Sequence, residues 1–142
     1  MTKEKEINIL LVEDTEEHAL LIKRALEDGM LKPRLFWVHD GEEALDFLYN
    51  RADYADEKEY PRPDVILLDL RLPGISGIEV LEQLKREEKL KDIPVSVMTI
   101  SDEDEDILRS YQAGARGYVL KSATLADKAS AQGILDAIVS LV

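Results

Sequence analysis

The sequence predicts a single doubly wound α/β domain spanning residues 1–142, a five-stranded parallel sheet with helices on both faces. Three observations carry this. Five short apolar runs lack polar alternation and are closed by turn or charged residues, as strands buried on both faces are. A segment with apolar residues at helical spacing follows each run, so strand and helix alternate from end to end. At 142 residues the chain has the size of one domain with one core.

The first strand is Ile7-Asn8-Ile9-Leu10-Leu11-Val12, ending in Glu13-Asp14. Thr15 is placed to cap a helix whose stripe is Ala19, Ile22, Ala25 and Leu26, and Gly29 suits its end. Leu35-Phe36-Trp37-Val38 is the second strand, and Gly41 opens a helix carrying Ala44, Leu45, Phe47 and Leu48. From Asn50 to Pro63 the chain is polar and acidic. This connector is longer than the usual four to six residues. Val65-Ile66-Leu67-Leu68 runs into Asp69, and Ile78, Leu81 and Leu84 mark the third helix. Pro94 to Thr99 is the fourth strand. Ser101 with Asp104 makes a capping box for a fourth helix that Gly114 ends. Gly117 to Lys121 is the fifth strand, and Ala131, Ile134, Leu135, Ile138 and Leu141 stripe a fifth helix. The simplest arrangement is the flavodoxin-like strand order 2-1-3-4-5.

Composition narrows the function. Lys plus Arg is 18 against 30 for Asp plus Glu, a formal net charge of −12. That balance repels nucleic acid and anionic lipid, which argues against a DNA or membrane partner. The chain has no cysteine, so disulfides, zinc-thiolate sites and thiol nucleophiles are excluded. No apolar run approaches the roughly 18 residues of a membrane span. The charged start Thr2 to Glu6 is no signal peptide, and a cytoplasmic location is expected.

In a sheet of this kind ligands bind beyond the carboxyl ends of the strands. There the sequence puts Glu13 and Asp14 after the first strand, Asp69 at the end of the third and Lys121 at the end of the fifth. An oxygen-rich pocket with one counter-cation suits a hard divalent metal, Mg²⁺, and a phosphoryl group. Taken singly the same residues have plainer readings: acids that favour a helix dipole, a snorkelling lysine, a threonine suited to a strand. His18 is expected to face solvent and His39 to end the second strand, neither with a catalytic partner.

The chain resembles the receiver domain of two-component response regulators over essentially its whole length. The motifs are Leu11-Val12-Glu13-Asp14, Leu67-Leu68-Asp69-Leu70-Arg71-Leu72-Pro73-Gly74, Met98-Thr99 and Gly117-Tyr118-Val119-Leu120-Lys121. The resemblance implies that Asp69 is the phosphoacceptor. It further implies that Asp14, Asp69 and the backbone carbonyl of Arg71 bind Mg²⁺, with Glu13 acting through water. By the same resemblance Lys121 pairs with Asp69 and then with the phosphoryl group, Thr99 donates its hydroxyl to a phosphoryl oxygen, and Tyr118 is the aromatic whose rotation reports phosphorylation. Three positions depart from the pattern: Ile100 replaces a small residue, Ser122 replaces a proline, and Arg71 sets a long cation two residues after Asp69. A trans Lys121–Ser122 bond is expected, because cis before serine costs roughly 3 kcal/mol.

The function expected is a phosphorylation-dependent switch supplied by a sensor histidine kinase. Such a receiver is a phosphoacceptor that assists its own phosphotransfer and slow autodephosphorylation, not a turnover enzyme. With no room for an effector after the terminal helix, its output is expected to be a protein partner, a homodimer or onward transfer in a phosphorelay. The length and texture of Asn50 to Pro63 resemble single-domain regulators partnered with phytochrome-like kinases. An aspartyl-nucleophile phosphatase of the haloacid dehalogenase type is the rival. It wants a second aspartate two residues after the nucleophile, where this chain has Arg71.

Overall fold

The computed structural model describes residues 7–27, 33–99 and 104–120. Within them lie β1 (Ile7–Val12), α1 (Glu16–Glu27), β2 (Pro33–Val38), α2 (Gly41–Leu48), β3 (Val65–Asp69), α3 (Gly77–Arg86), β4 (Val95–Thr99), α4 (Asp104–Gln112) and β5 (Gly117–Leu120). All strand pairs are parallel and the order is β2-β1-β3-β4-β5, as expected. The expected fifth helix, Gly29, Ile100, Ser101, Lys121 and Ser122 lie outside the described residues.

The unbroken apolar runs are explained by burial on both faces. In β1, Leu10 and Val12 join Ile66, Leu68, Val95 and Val97 in a core closed by α2 and α3. Their neighbours Ile7, Ile9 and Leu11 join Val65, Leu67 and Met98 on the other face, against Ala19, Ile22 and Leu26 of α1. Strands β1 to β4 therefore feed two cores through their period of two.

Caps set the helix starts. Asp40 caps α2, its carboxylate accepting from the Glu43 N–H at 2.8 Å, and Ser76 caps α3 by accepting from Glu79 N–H at 3.2 Å. Thr15 holds the expected position just before α1. Its hydroxyl donates to Asp14 Oδ1 at 3.5 Å, while its backbone carbonyl accepts from Ala19.

The connector is not merely polar. It contains a short 3-10 turn, Ala52–Tyr54, and returns Tyr54 and Tyr60 onto Phe47, with ring centroids 5.3 and 5.7 Å away. Asn50 Nδ2 closes the loop by donating to the carbonyls of Tyr54 and Tyr60, both at 3.0 Å. No helix among the described residues is long and apolar enough to cross a membrane.

Candidate metal centre at the carboxyl edge of the sheet

Strand order places β1 beside β3, so the acids that close them meet. Glu13, Asp14 and Asp69 each offer a carboxylate oxygen, and these oxygens all lie within 4.8 Å of one another. Asp14 is exposed, whereas Glu13 and Asp69 are 1% and 5% exposed. Three acids this close repel one another unless a cation joins them. An all-oxygen donor set, two members buried and one open to solvent, fits a hard divalent ion.

Local backbone fixes the two buried carboxylates. Asp69 Oδ1 accepts the N–H of Arg71 at 3.0 Å, a turn that holds the acid at the end of β3. Glu13 Oε1 accepts the N–H of Thr15 at 3.2 Å. The backbone of Glu13 is held twice: its N–H donates to the Val38 carbonyl at 3.0 Å, and its carbonyl accepts the Trp37 indole N–H at 2.8 Å. Gly77 closes the floor. A Cβ there would come within 2.4 Å of the Asp69 carbonyl oxygen and 2.6 Å of Leu70 Cα, so α3 reaches the site only because this residue has no side chain.

Of the residues singled out in the sequence, Glu13, Asp14 and Asp69 are thus brought together. The turn after Asp69 carries Arg71, whose guanidinium points away to α4, Nη2 lying 3.7 Å from Asp106 Oδ2. Thr99 ends β4 opposite Leu120, at the same edge of the sheet. Tyr118 sits in β5 opposite Val97, partly buried against the α2–α3 core.

His18 does not simply face solvent. It is half-buried with Nδ1 3.7 Å from Glu13 Oε1. His39 follows β2 as expected and stacks on Trp37, ring centroids 4.4 Å apart. Trp37, His18 and Gly77 are site residues that sequence reasoning missed. Only Gly77 left a signal, a glycine at the start of a helix just after a loop.

Comparison with known proteins agrees with this geometry. The response regulator receiver domain matches residues 9–131. The chain is 44% identical over 119 residues to the probable methanogenesis regulatory protein FilR2 of Methanothrix harundinacea, covering 84% of this chain and 74% of that one. To the response regulator Rcp1 of Synechocystis it is 39% identical over 119 residues, covering 84% and 79%. Among solved structures, the phosphorylated cyanobacterial phytochrome response regulator RcpA superposes with a TM-score of 0.86 at 37% identity, over 97% of both chains. The Mn²⁺-bound form of Rcp1 gives 0.81 at 38% identity, over 90% of this chain and 91% of that one. With the 2-1-3-4-5 sheet and the acids of β1 and β3 meeting at its carboxyl edge, these matches settle the family: the chain belongs to the response regulator receiver domains.

Proposed function

We propose that Asp69 is the phosphoacceptor of this receiver and that Asp14, Asp69, the Arg71 carbonyl and, through water, Glu13 hold Mg²⁺. One observation carries the reading: Asp69 is the carboxylate that combines a strand-end position with two facing acids. Membership of the family makes the chain a signalling module rather than a turnover enzyme. The reaction is a single transfer. The P–N bond of a kinase phosphohistidine breaks as an Asp69 Oδ–P bond forms, and the imidazole nitrogen leaves with the bonding pair and takes a proton. Asp69, the attacking carboxylate, is held in place by the Arg71 N–H on Oδ1. A bound Mg²⁺ supplies the positive charge that lets carboxylate and phosphoryl oxygens approach. Lys121 pairs with Asp69 and then with the phosphoryl group, Thr99 gives its hydroxyl to a phosphoryl oxygen, and Tyr118 follows Thr99 as the second switch residue. Slow return occurs by autodephosphorylation.

The donor is a sensor histidine kinase of phytochrome-like type, a reading supported by the likeness to RcpA and by the 14-residue connector. Residues 1–142 form one receiver domain that works in the cytoplasm and signals through a protein partner or homodimer rather than through DNA.

Incubation with Mg²⁺ and acetyl phosphate tests the assignment. Mass spectrometry should find one acid-labile phosphoryl group, lost in Asp69→Asn and kept in Asp53→Asn and Asp64→Asn. Label that persists in Asp69→Asn would overturn it.

A further inference from the structure

Arg71 touches two elements at once. Its backbone N–H holds Asp69 Oδ1 at 3.0 Å, while its guanidinium reaches α4, Nη2 lying 3.7 Å from Asp106 Oδ2. Asp106 belongs to the opening turns of that helix. Its carbonyl accepts the hydroxyl of Ser110, which is fully buried, at 2.8 Å, so the turn is tied to the core. The ion pair bridges the β3–α3 loop and α4 at the surface, with side-chain exposures of 61% and 25%.

Resting on the assignment of Asp69 above, we propose that Arg71 changes partners: it holds Asp106 before phosphorylation and the phosphoryl group afterwards, releasing the start of α4. The competition is unequal. A half-exposed pair at 3.7 Å lacks good hydrogen-bond geometry. A phosphoryl group brings about two negative charges and three strong acceptor oxygens, and a guanidinium meets these with its fork of donors. The phosphoryl group forms on the carboxylate that the Arg71 backbone already touches, so the side chain needs only new torsions to arrive. The charge change at β3 thereby reaches α4 through one residue.

Competition is reciprocal, which makes it measurable. In the full chain phosphorylated with acetyl phosphate and Mg²⁺, hydrolysis breaks the phosphorus–Oδ bond, water supplying the new oxygen of phosphate and Asp69 leaving as carboxylate. Asp106→Asn removes the competitor and should lengthen the phosphoryl lifetime about two- to fivefold, the strength of an exposed ion pair. Arg71→Ala should shorten it, and Arg71→Ala/Asp106→Asn should match Arg71→Ala alone. Hydrogen exchange in residues 104–110 should quicken on phosphorylation in the parent chain. In unphosphorylated Arg71→Ala it should already be fast. Normal labelling with an unchanged lifetime in Asp106→Asn, or a double variant as long-lived as Asp106→Asn, overturns the partner exchange alone. Label that survives in Asp69→Asn overturns the underlying site instead.

Discussion

The Trp37 indole N–H donates to the Glu13 backbone carbonyl at 2.8 Å, tying β2 to the residue that begins the acidic cluster. Trp37 is the chain's one tryptophan. Its indole lies one residue from Asp14, so drawing the three carboxylates onto a cation should alter its surroundings. Titration with Mg²⁺ is expected to change tryptophan emission and saturate. Because the ion binds only the folded cluster, it should stabilise the fold by about 2.7 kcal/mol at a hundred times its dissociation constant. Asp14→Ala should show neither response. Emission and melting temperature indifferent to millimolar Mg²⁺ would contradict the centre as drawn.

Two glycines of the β3–α3 region make a matched test of what positions Asp69. Gly77→Ala forces a Cβ onto the Asp69 carbonyl and Leu70 backbone, atoms that cannot swing aside. It should cost about 1–3 kcal/mol as an overpacked position does, and should lower the rate of phosphorylation. Gly74 has φ +73 but open space around its Cα. Gly74→Ala should cost only about 1 kcal/mol of backbone strain and leave labelling intact. Urea unfolding and acetyl phosphate labelling measure both. Equal losses in the two variants would deny Gly77 its positioning role.

The sheet, its order and its acidic edge were legible because each depends on short stretches of chain. Burial on both faces removes alternation from β1 and β3, and the acids that close them face each other once β1 and β3 are neighbours. Contacts between distant elements were not legible. Trp37 to Glu13, His18 to Glu13 and Arg71 to Asp106 depend on side-chain direction across elements, for which spacing gives no signal. The connector hid its anchors similarly. Tyr54 and Tyr60 lie six residues apart among acids, with no strand or helix period, yet they pack on Phe47 and on each other, 4.9 Å between centroids.

Tyr54 gives that connector a pH signature. Its hydroxyl donates to Glu43 Oε1 at 2.8 Å, and burial, followed by this bond, pushes the phenol well above its ordinary 10.0. A raised folded-state pKa contributes stability that is fully present below pH 10 and is lost as pH rises beyond it. Tyr54→Phe keeps the ring and removes the bond, so it should cost about 1 kcal/mol at pH 8. The gap from the parent chain should narrow above pH 10, as the parent weakens while the variant has no phenol to ionise. Urea midpoints at pH 8 and 11 decide it, and a gap that stays constant or widens would refute the account.

The output face is expected to be α4, β5 and the segment that follows. Thr99 and Leu120 end the paired strands β4 and β5, so with Thr99 in its proposed role as a phosphoryl partner a change there reaches this face directly. On α4, Leu108 and Tyr111 are 57% and 49% exposed, three residues apart and therefore on one side of the helix, with exposed Arg109 beside them. Apolar groups flanked by charge in this way suit a protein partner or a second copy of the chain far better than a nucleic acid. Phosphorylation should favour that association, read as a shift in sedimentation or in partner capture. Arg109→Glu should weaken it without altering phosphorylation of Asp69, since Arg109 lies on the exposed side of α4. Leu108→Ala should weaken it also, by removing apolar area from the contact. Hydrogen exchange should change on phosphorylation across residues 104–120. Were it to change only in the connector from Asn50 to Pro63, the signal would leave the molecule by the opposite edge of the sheet.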